Sequence, residues 1–148
     1  MGEHAAIPDL RLRRARGRDH TRCAEIFLRA RLAAFPGRRS GSFDLEDYYH
    51  AIADDEVWVA ETGGTVVGFV SLYRPESHIR HLFVDPAWQH RGIGSRLLAE
   101  ARSRVRRPAR LSCLANNGAA RAFYEHNGWT AEGRTTGRQA DEGVVYRK

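Results

Sequence analysis

The chain has 148 residues, 42% of them hydrophobic and 28% charged, which is the composition of a soluble globular domain with one hydrophobic core. No apolar run approaches the roughly 18 residues that span a bilayer, and the first ten residues lack a secretion signal, so we expect a single cytoplasmic domain over 1–148. The net charge of +6 comes from arginines spread along the chain, with Lys148 as the only lysine, which argues against nucleic-acid binding as the main function.

The cysteines and histidines do not have the spacing of a metal site or of a disulfide framework. Cys23 falls in a predicted helix and Cys113 in a predicted strand, and neither belongs to a Cys/His pattern that binds zinc. We therefore expect two half-buried thiols without a catalytic role, and no metal.

The first fifty residues predict an edge strand and two helices. Residues Leu10–Arg16 alternate weakly between apolar and polar side chains, as an edge strand does. Asp19 is placed to cap a helix that Pro36 and Gly37 end. The apolar face of that helix carries Cys23, Ile26, Phe27 and Ala30. Asp44 is placed to cap a second, shorter helix.

A change of pattern after residue 55 predicts a sheet. Val57–Ala60 and Val66–Leu72 have the composition of strands, and Gly63-Gly64 between them predicts a tight hairpin turn. Because the second strand is almost continuously apolar, we expect it at the centre of the sheet with both faces covered. His78–Val84 is the next strand, and Asp85-Pro86 ends it.

The remaining segments alternate between helix and strand. Ile93–Val105 has the periodicity of an amphipathic helix, and Leu111–Leu114 is a strand. A last helix is capped by Asn116 or Asn117 and ends at Gly128, and two short strands follow it. The pattern predicts an α+β fold: one mixed, mostly antiparallel sheet of about six or seven strands, with about four helices packed on both faces.

The turn after the strand His78–Val84 has the chemistry of a pyrophosphate cradle. Gly92-Ile93-Gly94 opens the amphipathic helix, and glycine lets the backbone approach a bulky anion without a Cβ in the way. The free N–H groups of the first helical turn point at that anion. A Rossmann fingerprint would need a third glycine where Leu97 stands, and a P-loop would need a lysine, so a dinucleotide or a nucleoside triphosphate is not the expected ligand.

Two spaced motifs resemble those of the GNAT N-acetyltransferases. The family's cofactor motif, Gln/Arg-x-x-Gly-x-Gly/Ala, is present as Gln89-His90-Arg91-Gly92-Ile93-Gly94. A second motif, Asn-x-x-Ala-x-x-Phe-Tyr and then Gly-aromatic, is present as Asn117–Tyr124 followed by Gly128-Trp129. The likeness covers about 57–130 well and the first 50 residues loosely. It implies the GNAT fold and an acyltransferase that uses acetyl-CoA.

The resemblance also implies where acetyl-CoA would bind. Its pyrophosphate would sit on the first turn of the amphipathic helix, and its pantetheine arm would contact Asn117 and pair with the strand backbone like an added strand. The backbone N–H of Val84 would polarise the thioester carbonyl as the oxyanion forms. The residues implied in cofactor binding are Leu82, Phe83, Val84, Gln89, His90, Arg91, Gly92, Ile93, Gly94, Ser95, Asn117 and Tyr124.

Two proton transfers remain to be assigned. The amine must be neutral to attack, and the leaving thiolate needs a proton. Tyr124 matches the tyrosine that family members use as the general acid. Many members place a Glu or His six or four residues before the strand valine, which gives His78 as the general base when counted from Val84, with Glu76 or a chain of waters as alternatives. His81 would point to the other side unless a bulge intervenes.

The expected activity is therefore acetyl transfer from acetyl-CoA to a primary amine of a small molecule or a protein, by a monomer or homodimer with no nucleic-acid or membrane partner. A non-catalytic acyl-CoA sensor with the same fold and a basic nucleic-acid-binding domain are the alternatives. The acceptor side, about Leu28–Tyr49 and the last hairpin, carries no motif that identifies the amine. Its acidic residues Asp44, Glu46 and Asp47 are interpreted as a solvated helix start.

Overall fold

The computed structural model of the chain describes residues 7, 9–34, 43–136 and 142–148. Within these residues a seven-stranded sheet carries four α-helices, which confirms the predicted α+β class. The strands are β1 (Arg11–Arg14), β2 (Glu56–Thr62), β3 (Thr65–Tyr73), β4 (His78–Val84), β5 (Arg110–Leu114), β6 (Thr130–Thr136) and β7 (Glu142–Arg147). The helices are α1 (His20–Ala34), α2 (Glu46–Ala51), α3 (Ile93–Ser103) and α4 (Gly118–His126).

The sheet is antiparallel except at one place. Its order is β1-β2-β3-β4-β5-β7-β6, and only the β4–β5 pair is parallel, because α3 carries the chain back between those two strands. β1 lies at an edge and β3 lies inside the sheet, as predicted. Every residue of Val66–Leu72 is buried, which confirms that both faces of this strand are covered.

Helices cover both faces of the sheet. On one face α1 and α2 pack against the sheet through an aromatic cluster that includes Phe27, Tyr48 and Phe69. On the other face α3 buries Leu97 and Leu98 against β3 and its neighbours. The core therefore has two layers, and the sheet between them is the surface on which both sides of the candidate site are built.

The predicted turn and cap residues act as expected. Gly63 and Gly64 have φ values of +56° and +79°, so the hairpin between β2 and β3 uses the left-handed conformations that favour glycine. The Asn117 side chain accepts a hydrogen bond from the Ala120 N–H at 3.1 Å and so caps α4. Asp44 accepts from the Asp47 N–H at 3.1 Å at the start of α2.

The prediction that Asp19 caps α1 was wrong. Asp19 lies in a short 3₁₀ turn before the helix, and its carboxylate accepts from the Arg16 N–H at 2.6 Å and from the Arg13 guanidinium at 2.7 Å. The hydrogen bond from Arg13 is the main cause that lowers the pKa of Asp19 to about 2. Asp19 therefore ties β1 to the start of α1. The predicted helix end at Pro36 and Gly37 lies outside the described residues.

The described residues contain neither a membrane-spanning helix nor a cluster of metal-binding side chains. No helix in that part of the chain is both long and apolar enough to cross a membrane. No group of three or more His, Cys, Asp or Glu side chains there is placed to hold a metal ion. Cys23 is buried and Cys113 is half-buried, and both thiols are free.

Candidate active site

β4 and β5 diverge and leave an opening in the middle of the sheet. Among the described residues only the pair His78–Arg110 joins the two strands, next to a hydrogen bond from the Arg110 N–H to the Ser77 carbonyl at 2.9 Å. Beyond this point no further pair joins them, so the C-terminal half of β4 has one edge bonded to β3 and the other edge open. The opening is thus closed at one end and widens toward the end of β4.

The backbone of β4 presents polar groups to this opening at every second residue. The Asp85 N–H donates to the Val67 carbonyl at 2.8 Å, one step beyond the Gly68–Val84 pair. In an antiparallel ladder this makes Gly68–Val84 a non-hydrogen-bonded pair, so the N–H and C=O of Val84 point away from β3. They face the opening, and alternation along the strand directs the N–H of Leu82 there as well.

The N-terminus of α3 lies directly after this strand. Gly92 has a φ of +82°, and a Cβ at this position would meet no atom within 4 Å. The left-handed backbone therefore explains the glycine, and the space beside it is open to a ligand. The first N–H groups of α3 have no partner within the helix. The Gln89 amide donates to the Val84 carbonyl at 3.1 Å, which ties the turn to the end of β4.

The second glycine of the motif has a packing role in the structure. A Cβ at Gly94 would lie 3.4 Å from the Phe123 ring and 3.8 Å from the Val84 side chain. Gly94 therefore lets α4 approach the start of α3. Ile93 is only 1% exposed and its side chain belongs to the core. His90 and Arg91 are exposed in the turn before them.

Tyr124 lies on α4 and packs against β5 and its neighbour β7. Its ring centroid is 5.4 Å from that of Phe123 and 5.8 Å from that of Tyr146. Burial, together with the charge of the Cys113 thiol when ionised, raises the pKa of Tyr124 to about 12. The hydroxyl therefore keeps its proton throughout the neutral range, as a general acid must.

A pocket of about 660 Å³ lies on the α1–α2 face of the sheet. Its lining is mostly apolar and includes the Phe27 and Phe83 rings, whose centroids are 4.8 Å apart. Arg31 and Asp47 line it as an ion pair of 3.1 Å. The lining residues are Phe27, Arg31, Ala34, Asp47, His50, Ala51, His81, Phe83 and Asn117.

A bulge in β4 decides where its histidines point. In the register with β3, Ser71 pairs with His81 but Leu72 pairs with Ile79, so Arg80 is an extra residue. The sequence predicts that His78 and His81 point to opposite faces of the sheet unless a bulge intervenes. The bulge is present, so the two histidines point to the same face. His81 lines the pocket, 6.0 Å from Phe27 between ring centroids.

Both histidines of β4 are neutral at pH 7. Burial is the main cause that lowers the pKa of His78 and of His81 below the usual value of about 6.5. Arg80 lowers both values further, while the carboxylate of Asp55 acts in the opposite direction on both. A neutral imidazole accepts a proton, so either side chain has the protonation state of a general base. Glu76, the other predicted candidate, is exposed in the 3₁₀ turn between β3 and β4.

The sequence did not predict the ion pairs that join the end of β4 to α1. Asp85 was interpreted only as a strand end, but it is 1% exposed and its carboxylate accepts from Arg22 and, at 3.0 Å, from Arg29. Burial opposes its ionisation, but these arginines and the Ala87 N–H outweigh it and lower the pKa of Asp85. Arg22 and Arg29 are seven residues apart on α1, a spacing that puts them on one helix face and was the available signal.

The family of the chain follows from a model of the acetyltransferase (GNAT) domain, which matches residues 53–131. The chain belongs to the GNAT family. The matched segment contains β2 to β5, the open edge of β4, the start of α3 and Tyr124, whereas α1 and α2, which line most of the pocket, lie before it.

Individual relatives of this GNAT protein are more distant. The probable N-acetyltransferase Rv2775 of Mycobacterium tuberculosis is 34% identical over 86 residues, which are 53% of this chain, and the match spans about half (49%) of that relative. Among solved structures, YjaB of Escherichia coli in its apo form has a TM-score of 0.76 at 21% identity, over 93% of this chain and 96% of its own. The PaiA N-acetyltransferase of Thermoplasma acidophilum, solved with coenzyme A, has a TM-score of 0.75 at 19% identity, over 95% and 99%. These structures have the same fold.

Proposed function

We propose that this GNAT protein transfers the acetyl group of acetyl-CoA to a primary amine by direct attack of the amine. The observation that carries the proposal is the N–H of Val84, which points into an open strand edge beside the unpartnered N–H groups of α3. A strand edge takes an extended ligand with amide groups, and a helix N-terminus takes a phosphate. Acetyl-CoA has both groups and supplies an activated acyl carbonyl.

The chain's own groups then have separate tasks. The Val84 N–H donates to the carbonyl oxygen as that oxygen gains negative charge. The first turn of α3, with Gly92 leaving room for it, binds the pyrophosphate. The Tyr124 hydroxyl donates a proton to the leaving sulfur. Asn117 caps α4 and also lines the pocket, so both of its predicted roles are compatible with its position.

We assign the base to His81 rather than His78. His81 lines the pocket through which an amine would reach the open edge of β4, and its imidazole is neutral at pH 7. His78 lies at the closed end of the opening, where β4 and β5 are still paired. The six-residue count from Val84 selected His78, but the bulge at Arg80 changes the parity of that count.

The pocket favours a small amine with an apolar body. The lining is mostly apolar, and Asp47 is the one carboxylate among the described lining residues. Because Asp47 is paired with Arg31, it gives little attraction to a polycation. We therefore propose aryl-alkyl or aliphatic monoamines as acceptors in preference to polyamines or lysine-rich peptides.

A panel of amines assayed for release of free coenzyme A tests this function. The expected result is turnover with phenylethylamine-like acceptors and little with spermidine or a lysine peptide. Turnover only with the polycations would contradict the acceptor assignment. Tight binding of acetyl-CoA with no turnover for any amine would instead favour the non-catalytic acyl-CoA sensor, which needs the open edge but no base.

Acetyl-CoA is expected to stabilise the fold. At about 100 times its dissociation constant the gain in the free energy of unfolding should be about 2.7 kcal/mol, measured as a thermal shift. NAD and ATP at the same concentration should give far less, because neither has a pantetheine arm for the open edge of β4.

Two glycine variants control this measurement. Gly92→Val should remove most of the shift that acetyl-CoA causes, since its side chain would enter the open space at the start of α3. Gly133→Val, on β6, also meets no atom within 4 Å and should leave the shift unchanged. Each variant is compared with and without acetyl-CoA. The strain of a valine at a φ of +82° lowers the stability in both conditions and therefore does not affect the shift. Equal thermal shifts of the wild type with acetyl-CoA, NAD and ATP would overturn the assignment of acetyl-CoA.

A further inference from the structure

A buried carboxylate lies where the register between β3 and β4 changes. Asp55 is the residue before β2, and its Oδ2 accepts from the Ser71 hydroxyl at 3.0 Å and lies 3.4 Å from Nε of Arg80. Ser71 is the β3 residue that pairs with His81, and Arg80 is the extra residue of the bulge. Asp55 therefore contacts both strands beside His81, through the β3 residue that pairs with His81 and through the β4 residue that precedes it.

The second oxygen of this carboxylate is unusual. The Asp55 side chain is 0% exposed, and Oδ1 is buried without a hydrogen-bond partner among the described groups. Leaving a buried acceptor without a hydrogen bond is unfavourable, and more so when the group is charged. The charge is also only partly compensated, because Arg80 is 40% exposed and its contact is long for an ion pair. A negative field therefore persists in the interior next to β4.

We propose that Asp55 is a positioning residue for His81, which fixes the two strands beside that residue and keeps its imidazole basic enough to take the amine's proton. The inference rests on the proposed function, because it takes His81 as the base. Asp55 need not touch a substrate, since it acts through Ser71 and Arg80 on the backbone of β4 and through its charge on the imidazole.

The charge part of this role has a definite sign. Burial lowers the pKa of His81 most, Asp55 and the backbone of Ala51 act against burial, and Arg80 and His78 lower the pKa further. Removing the Asp55 charge should therefore lower the pKa of His81, and removing the Arg80 charge should raise it. The charged and titratable groups around His81 are Asp55 before β2, Arg80 and His78 on β4, Arg31 on α1, and Asp47 and His50 on α2.

The test is an NMR titration of the histidine side chains of Asp55→Asn and Arg80→Gln in the full chain. Asp55→Asn should lower the pKa of His81, Arg80→Gln should raise it, and Asp54→Asn, an exposed neighbour, should not change it. Asp55→Asn should also lower kcat roughly 10-fold, part of the 10²–10⁴ that general base catalysis supplies. Asp55→Glu, which keeps the charge, should restore part of that loss.

The titration needs neither acetyl-CoA nor an acceptor, so it separates a failure of this inference from a failure of the proposed function. A pKa of His81 that is the same in wild type, Asp55→Asn and Arg80→Gln would overturn the inference, whatever the activity. If Asp55→Asn does not fold, Asp55→Ser decides, because the smaller side chain also removes the charge and leaves no Oδ1 without a partner: a pKa of His81 below that of the wild type supports the role of the Asp55 charge, and an unchanged pKa contradicts it.

Discussion

Replacing Tyr124 by phenylalanine should lower kcat by roughly 10²-fold or more while leaving the affinity for acetyl-CoA nearly unchanged. The ring still packs between Phe123 and Tyr146, and only the proton donor is lost. The pKa of Tyr124, about 12, lies above the value of about 8.5 typical of a thiol. The burial that raises the pKa of the tyrosine also disfavours a thiolate beside it, and so raises the pKa of the leaving thiol. The difference between the two pKa values is therefore smaller in the site than in water.

The measurement is kcat at saturating amine and acetyl-CoA, with the dissociation constant of acetyl-CoA determined separately. Tyr146→Phe is a matched control, because it removes a neighbouring hydroxyl that is bonded to Glu125 at 2.6 Å and to Arg121 at 3.1 Å. That variant should lose stability but keep its turnover. An unchanged kcat in Tyr124→Phe would leave Tyr124 with a packing role only.

Replacing His81 by alanine should lower kcat/KM between 10²- and 10⁴-fold near pH 7 and remove a pH dependence that the wild type shows. In the wild type the rate should rise as the imidazole loses its proton, with an apparent pKa below about 6.5 because burial lowers the pKa of His81. A second rise at higher pH belongs to the amine itself. An acceptor with a low pKa separates the two rises.

His78→Ala is the matched comparison, because both histidines lie on the same strand and burial lowers the pKa of both. We expect the rate of His78→Ala to show the same rise with pH, at the lower apparent pKa, as the wild type. If His78→Ala abolishes it and His81→Ala does not, the six-residue count from Val84 was the correct guide. A pH profile that neither variant changes would favour Glu76 or a chain of waters.

The sequence predicted those parts of the fold that depend on local pattern. Val66–Leu72 was placed at the centre of the sheet because an unbroken apolar run suits a strand covered on both faces, and the structure buries all of it. Asn117 and the Gly63-Gly64 turn were predictable because each satisfies a backbone requirement within a few residues.

The parts that could not be predicted depend on contacts between distant segments. The bulge at Arg80 is a feature of the pairing of β4 with β3, Arg80 contacts Asp55 from 25 residues earlier, and no pattern within β4 predicts either. Parity counted along an isolated strand therefore assigned the wrong face to His78, which the bulge places on the same face as His81. Asp19 was read as a cap because aspartate commonly precedes helices, but its partner Arg13 lies on β1.

Two aspartates bound to arginines contribute to the stability of the fold in acid. Asp19 and Asp85 have lower pKa values in the folded chain than in an unfolded one, so each contributes stability that is present above about pH 4 and is lost as the pH falls further. For Asp19, whose folded pKa is about 2, the contribution is on the order of 2 kcal/mol. The pairs of Asp19 with Arg13, and of Asp85 with Arg22 and Arg29, thus hold α1 to the sheet as the pH falls from neutral to about 4.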